Sequence, residues 1–107
     1  MRIYVAGPYT KGDVAVNVRN AIYAGSYIAN LGHFPYIPHL SHFSHLCIPQ
    51  EYSFWMRQDE EWLKVCDAIL RLPGESAGAD YEMKLAQELG LQVYYSVFDI
   101  PKAPPSA

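Results

Sequence analysis

The sequence is poor in residue types that mark several large classes of protein. Only 18% of its 107 residues are charged, the formal net charge is −3, and Lys and Arg are scattered along the chain. Binding to a nucleic-acid polymer, which needs a dense field of basic residues, is therefore not expected. Cys47 and Cys66 are the only cysteines, and they do not form the short-spaced pair of a metal or redox motif.

Long apolar segments are also missing. No run is long enough to span a bilayer, and the strand-like opening Met-Arg-Ile-Tyr-Val has no signal-peptide pattern. We therefore expect a cytoplasmic protein that does not enter a membrane. Half of the residues are apolar, which predicts one small domain with a single core.

Strand-like and helical segments alternate along the chain. The predicted elements are strands at 3–6, 33–37, 68–72 and 92–97, helices at 13–30, 53–65 and 78–88, and a loop at 38–49. Alternation of this kind favours an α/β fold, here a single Rossmann-like (flavodoxin-like) three-layer domain with a parallel sheet of about four to five strands. We place this domain at residues 1–100 and regard the Pro-rich residues 101–107 as a frayed or partner-bound tail.

Three segments that follow predicted strands are expected to form one crevice. They are residues 7–10, 38–39 and 72–78. In open parallel sheets, ligands bind beyond the carboxyl ends of the strands, where the strand order reverses. This reasoning predicts the position of a site and leaves its chemistry open.

The turn before the third helix is the most informative segment. It reads Gly-Glu-Ser-Ala-Gly-Ala-Asp-Tyr-Glu over residues 74–82. Small residues at a helix start expose backbone N–H groups that suit an anionic or polyhydroxylated ligand. Glu82 lies about one turn inside the helix, so its carboxylate is a candidate nucleophile or general base.

A second group of carboxylates, Asp59, Glu60 and Glu61, lies on the preceding helix. Two carboxyl groups that flank a glycosidic carbon can cleave its bond, one by attack and one by proton transfer. The C1′–N bond of a nucleoside opens by a similar oxocarbenium-like route. The chemistry of paired carboxylates therefore extends to nucleosides.

Three motifs together indicate a family. They are Tyr-Val-Ala-Gly-Pro at 4–8, Asp59, and Ser-Ala-Gly-Ala-Asp-Tyr-Glu-Met-Lys-Leu-Ala at 76–86. In these motifs the chain resembles the nucleoside 2-deoxyribosyltransferase superfamily, which includes the 2′-deoxynucleoside 5′-phosphate N-hydrolases. The resemblance covers about residues 2–95 and is greatest to short bacterial and phage members.

The resemblance implies roles for three residues and a metal-independent reaction without a cofactor. Glu82 would attack C1′, Asp59 would assist proton transfer to the leaving base, and the Tyr4 hydroxyl would orient Glu82. From their positions after the predicted strands and from the turn before the third helix, we predict these substrate-binding residues: Gly7, Pro8, Tyr9, His39, Ser76, Ala77 and Gly78.

Ser76 lies where the monophosphate hydrolases contact phosphate, which favours a 5′-phosphorylated substrate. Residues 8–10, however, are Pro-Tyr-Thr in place of the Ser-x-Arg of those hydrolases. Lys11, Arg57 or Arg71 could supply the missing charge, and the sequence does not choose among them.

We predict cleavage of the N-glycosidic bond of a nucleoside or nucleoside 5′-monophosphate, by hydrolysis or by transfer to a second base. The alternative is a nucleotide-binding module of the same fold without turnover. A homo-oligomer is also expected, because family members complete one another's sites and the last strand is rich in Tyr.

Each candidate residue also has a purely structural interpretation. Glu82 and Asp59 could be solvated helix residues, Tyr4 could be a core residue, and Ser76 could only cap its helix. The His-rich stretch is not expected to bind metal, because a polar loop over the crevice explains it; it comprises His39, His42, His45 and Cys47. Four aromatic residues could stack on a base, fill the core or form an interface: Tyr9, Phe43, Tyr52 and Trp55.

Overall fold

The computed structural model describes residues 1–105, in which four strands alternate with four α-helices. The strands are β1 (Arg2–Ala6), β2 (Phe34–Tyr36), β3 (Ala68–Arg71) and β4 (Gln92–Tyr94). The helices are α1 (Val14–Asn30), α2 (Ser41–Cys47), α3 (Tyr52–Leu63) and α4 (Ala77–Glu88), and single 3₁₀ turns span Pro38–Leu40 and Val97–Asp99. The predicted α/β class is confirmed.

All strand pairs are parallel, and the order across the sheet is β2-β1-β3-β4. The chain leaves β1 toward β2 and then returns to the other side of β1 as β3. The strand order therefore reverses at the carboxyl ends of β1 and β3, the position at which such sheets bind ligands.

Helices cover both faces of the sheet, so the domain has the predicted three layers. Successive residues of β1 alternate between the two cores, as the period of a strand requires. On the α1 side the core contains Ile3, Val5, Ala21, Ala24, Ile28, Ala68, Leu70 and Ile100. On the α3 and α4 side it contains Tyr4, Ala6, Leu63, Cys66, Ile69, Ala79, Met83 and Ala86.

The first helix lies where the sequence predicts it because both of its ends carry local signals. The Asp13 side chain caps the start by accepting a hydrogen bond from the backbone N–H of Val16 at 3.2 Å. Gly32 follows the end with φ +89°, a conformation that glycine adopts without a Cβ clash.

The prediction of a loop over residues 38–49 is wrong, because this segment forms a 3₁₀ turn followed by α2. A helix of this length is not stable by propensity alone. Two side-chain contacts hold it: His42 Nδ1 lies 2.7 Å from the Tyr9 hydroxyl, and Trp55 Nε1 donates to His45 Nδ1 at 3.0 Å. These contacts are not visible in the local pattern.

The last strand is shorter than predicted, since β4 ends at Tyr94. Ser96 then accepts a hydrogen bond from the backbone N–H of Phe98 at 3.2 Å and starts a 3₁₀ turn. The beginning of the predicted tail lies on the domain, because the backbone N–H of Ala103 donates to the carbonyl of Leu31 at 2.8 Å. The domain limit at residue 100 stays a prediction, and residues 106–107 of the tail lie outside the described residues.

Among the described residues, none of the helices combines the length and the apolar character that a membrane crossing requires.

Candidate active site

A cavity of about 370 Å³ opens at the carboxyl edge of the sheet. The loop after β1, the start of α3 and the start of α4 form its walls. Its lining residues are Gly7, Tyr9, Thr10, Lys11, Pro38, His39, Tyr52, Trp55, Met56, Asp59, Ser76, Ala77, Gly78, Ala79 and Glu82. The cavity thus gathers the predicted site residues except Tyr4 and Pro8, which lie behind its surface.

Glu82 lines this cavity although its side chain is almost fully buried. Helix α4 begins at Ala77, after the Ser76 cap, and turns Glu82 toward the sheet with an exposed fraction of only 9%. The Tyr4 hydroxyl donates a hydrogen bond to Glu82 Oε2. Burial raises the pKa of Glu82 to about 7, the Tyr4 hydrogen bond acts in the opposite direction, and the charge of Asp59 adds to the rise.

Tyr4 is a core residue and a site residue at once. It is fully buried on β1, which satisfies the structural interpretation of its position. Its hydroxyl nevertheless points to Glu82, and burial together with that carboxylate raises the pKa of Tyr4 far above its ordinary value. The phenol therefore stays protonated and remains a hydrogen-bond donor.

Asp59 is the second carboxylate of the cavity. The Tyr36 hydroxyl donates to Asp59 Oδ1 at 3.1 Å. Burial raises the pKa of Asp59 to about 6, and the Tyr36 hydrogen bond opposes that rise. Its two acidic neighbours have other partners, since Glu60 accepts from the Tyr81 hydroxyl at 2.5 Å and Glu61 pairs with Lys64 at 3.1 Å.

The turn before α4 combines a helix cap with free donors. Ser76 Oγ accepts from the backbone N–H of Ala79 at 3.1 Å, so the capping role of Ser76 is present. Its hydroxyl hydrogen can still donate to a ligand. The backbone N–H groups of Ala77 and Gly78 lie in the first turn, where no carbonyl of the same helix can accept from them.

Close backbone approach explains Gly7 at the end of β1. A Cβ placed on Gly7 would lie 2.9 Å from Cβ of Leu72, a distance that real side chains do not tolerate. The absence of a side chain therefore lets the ends of β1 and β3 meet at the cavity wall.

Of the three basic residues proposed to bind phosphate, Lys11 is the one that lines the cavity. Its Nζ lies 3.1 Å from an oxygen of Glu75, and both side chains are largely exposed. Arg71 instead donates to carbonyl groups of the β3–α4 turn and pairs with Asp80 at 3.0 Å. Arg57 is exposed on α3 and does not line the cavity.

His39 is buried at the cavity wall with one ring nitrogen unpaired. Its Nε2 lies 3.0 Å from the carbonyl oxygen of Pro8 and donates to it, which is how Pro8 takes part in the site. Burial lowers the pKa of His39, so the ring is neutral. Its Nδ1 is buried and has no hydrogen-bond partner within residues 1–105.

His42 and His45 are engaged by Tyr9 and Trp55 rather than grouped around a common point. Within the described part of the chain, no three His, Cys, Asp or Glu side chains come together in a way that could hold a metal ion.

Tyr36 is the functional candidate that sequence reasoning missed. Its link to Asp59 depends on how β2 pairs with β1 and how α3 packs on the sheet, which no local pattern reveals. Of the four aromatic residues with open roles, Tyr9, Tyr52 and Trp55 line the cavity, whereas Phe43 is exposed on α2.

The fold is an α/β architecture that the chain shares with 2-deoxyribosyltransferases. The chain superposes on the 2-deoxyribosyltransferase of Bacillus psychrosaccharolyticus with a TM-score of 0.67 and 20% identity, over 87% of this chain and 69% of that chain. For the 2-deoxyribosyltransferase from Leishmania mexicana the TM-score is 0.64 and the identity 20%, over 86% of this chain and 61% of that chain. At this identity the similarity establishes the fold.

The chain belongs to a family described as a domain of unknown function (DUF7768), which matches residues 1–96. A search of curated proteins gives no match. The particular similarity to short bacterial and phage members stays a prediction.

Proposed function

We propose that this protein cleaves the N-glycosidic bond of a nucleoside or nucleoside 5′-monophosphate, with Glu82 as the nucleophile. The observation that carries this proposal is the presence of two carboxyl groups in one cavity, the buried Glu82 and the half-buried Asp59, each of which accepts a hydrogen bond from a different tyrosine. Retaining glycosidases use such a pair. The shared fold with 2-deoxyribosyltransferases supports the same reaction class.

In the first step, an oxygen of Glu82 forms a bond to C1′ while the C1′–N bond breaks and its electron pair goes to the base. Tyr4 holds Oε2, and no described residue donates to Oε1, which is the oxygen left for attack. The reactive form is the singly protonated pair in which Glu82 is ionised and the proton lies on Asp59, and Asp59 transfers that proton to the departing base. The products are a free base and a glycosyl ester of Glu82.

In the second step, water or another base attacks C1′ and releases Glu82 as a carboxylate. Asp59, now ionised, takes the proton of the attacking water or base. Attack by water makes the enzyme a hydrolase, and attack by a base makes it a transferase. Both outcomes use the same residues, so the acceptor alone separates them.

The cavity walls supply groups for both ends of the substrate. The Ser76 hydroxyl and the N–H groups of Ala77 and Gly78 are the donors for a 5′-hydroxyl or 5′-phosphate. The three aromatic residues of the cavity provide faces on which a base stacks: Tyr9, Tyr52 and Trp55.

We also expect self-association, because large apolar side chains such as those of Tyr95 and Phe98 are exposed.

A second candidate is a nucleotide-binding module without turnover, which is favoured by Pro-Tyr-Thr at residues 8–10 in place of the Ser-x-Arg of the monophosphate hydrolases. Lys11, the basic residue at the cavity, already pairs with Glu75, and Arg71 pairs with Asp80. Binding of nucleotides that raises the melting temperature without release of base would support this second function.

Base release tests the proposal. The protein is incubated with ribo- and deoxyribonucleosides and their 5′-monophosphates, with and without an acceptor base, and products are separated by chromatography. Free base is expected with at least one of these substrates, and it should be absent with Glu82→Ala. Equal release by the variant, or no release by either protein, would contradict the proposal.

A further inference from the structure

Two tyrosines on neighbouring strands contact the two carboxyl groups of the cavity. Tyr4 and Tyr36 are register partners on the neighbouring parallel strands β1 and β2. Partners in register project from the same face of a sheet, and their ring centroids lie 5.4 Å apart. Each hydroxyl donates to a different carboxylate, Tyr4 to Glu82 and Tyr36 to Asp59.

The Tyr36 ring has a second aromatic neighbour. It stacks on Trp62 with a centroid distance of 5.6 Å and an interplanar angle of 28°. Trp62 lies on α3, the helix that carries Asp59, so the same ring contacts the sheet and the helix. Tyr36 does not line the cavity. Its hydroxyl is linked to the site by its hydrogen bond to Asp59.

We propose that Tyr36 is a positioning residue that holds the Asp59 carboxyl group in the orientation required for proton transfer to the base. The proposal rests on the proposed function and extends it to a residue that does not touch the substrate. With separate tyrosine donors, Glu82 and Asp59 are each held by a hydrogen bond of their own. Neither carboxyl group has to rotate toward the other for a partner.

The electrostatics agree with this geometry. Burial and the Asp59 carboxylate raise the pKa of Tyr36 above its ordinary value, so the phenol stays a donor. The Tyr36 hydrogen bond holds the pKa of Asp59 lower than burial alone would place it. The titratable groups that act on the carboxyl pair are Tyr4 of β1, Tyr36 of β2, Glu60 of α3 and Arg71 of β3.

Tyr36→Phe tests the proposal, because it removes the hydroxyl and keeps the ring that packs on Trp62. We expect kcat to fall by about 10-fold or more, as misplaced catalytic groups do, while KM stays within about twofold because no substrate contact is lost. The kcat/KM profile should shift to higher pH, chiefly on its acidic limb, because Asp59 has the lower pKa of the pair and loses a donor to its ionised form.

Tyr81→Phe is the matched control. It removes a Tyr-to-carboxylate hydrogen bond, to Glu60, that also joins α4 to α3 but lies on the exposed side. Its kcat and pH profile should equal those of the wild type. An unchanged kcat and pH profile in Tyr36→Phe would overturn the proposal.

A titration without substrate separates this proposal from the proposed function. Aspartate labelled with ¹³C at the side-chain carboxyl is observed by NMR, and Asp59→Asn identifies the Asp59 signal by its loss. The pKa of Asp59 should be higher in Tyr36→Phe than in the wild type and unchanged in Tyr81→Phe. An unshifted Asp59 would overturn the role of Tyr36 even in an active enzyme. If no nucleoside is cleaved, the proposed function fails while the titration still decides whether Tyr36 holds Asp59.

Discussion

Histidine side chains at the amino ends and at the carboxyl ends of the strands differ in their hydrogen bonding. His33 precedes β2 at the amino edge, and His39 follows it at the carboxyl edge; both are buried. His33 has partners on both ring nitrogens, the amino group of Met1 at 2.9 Å and the carbonyl oxygen of Pro101 at 2.6 Å. His39 keeps an unpaired Nδ1 at the cavity wall.

The acidic residues at the two ends of the strands differ in the same way. Asp67, before β3, accepts from the backbone N–H of Arg2 at 2.8 Å and is a structural residue. At the carboxyl ends of the strands, Glu82 is buried and Asp59 is half-buried, both have raised pKa values, and neither has a basic partner in hydrogen-bond contact among the described residues. His33 and Asp67 thus have hydrogen-bond partners within the fold, whereas the unpaired Nδ1 of His39 and the raised pKa of Glu82 are features typical of functional sites.

The largest expected effect is on turnover at the carboxyl edge. Glu82→Gln keeps the shape of the side chain and removes the nucleophile, so kcat should fall by about 10³-fold or more. Glu60→Gln is the control, because Glu60 is a neighbouring carboxylate with a tyrosine partner and lies outside the cavity. Initial rates of base release measure both. Comparable losses in the two variants would show that Glu82 has no special role.

The pH dependence of turnover tests whether Glu82 and Asp59 act as a pair. In the proposed mechanism the reactive state is the singly protonated pair with its proton on Asp59, which is a minority form because burial raises the pKa of Glu82 to about 7 and that of Asp59 to about 6. We expect a bell-shaped kcat/KM profile with its maximum between these values and a decline of about tenfold per pH unit on either side. A profile that is flat from pH 5 to pH 8 would exclude a shared-proton mechanism.

Removal of each histidine should separate binding from stability. His39→Ala removes a side chain from the cavity wall and leaves the Pro8 carbonyl oxygen without its donor, so KM should rise by about 10-fold. His33→Ala breaks two buried hydrogen bonds and should lower the free energy of unfolding by about 1–3 kcal/mol with little change in KM. Steady-state kinetics and urea denaturation measure these effects. A raised KM in His33→Ala together with an unchanged KM in His39→Ala would contradict this difference between the two ends of the strands.

The smallest effect is a gain of stability in Glu82→Gln at alkaline pH. The folded state raises the pKa of Glu82 from 4.5 to about 7, so it favours the protonated form, and wild-type stability is lost as pH rises through this range. Gln does not ionise. The variant should therefore be more stable than the wild type by roughly 1–3 kcal/mol at pH 8, and the difference should vanish near pH 4. If the melting temperatures of the wild type and of Glu82→Gln depend on pH in the same way, the pKa of Glu82 is not raised in the folded state.

Elements with signals at their own ends were predictable from the sequence. Helix α1 has Asp13 at its start and Gly32 after its end, and α4 has the Ser76 cap. Helix α2 was missed because contacts of His42 and His45 with distant aromatic residues stabilise it.

The candidate site was predictable to the extent that each residue lies near a strand end or in the family motif. Glu82, Asp59 and Tyr4 were named in this way, and the structure brings them together, while their catalytic roles stay predictions. Tyr36 was not predictable, because its link to Asp59 requires the register of β1 with β2 and the packing of α3. The pairing of Lys11 with Glu75 likewise joins two loops whose distance the sequence does not specify.

Capture of the glycosyl ester tests most directly whether Glu82 is the nucleophile. A 2′-fluoro-substituted nucleoside forms a less stable oxocarbenium-like transition state, so the covalent species should accumulate when the protein is incubated with it. Mass spectrometry of the intact protein should show the added mass of the fluorinated sugar, and peptide mapping should place it on Glu82. Glu82→Gln should remain unmodified. A sugar attached to another residue, or base release by the wild type without any covalent species, would contradict the assignment of Glu82.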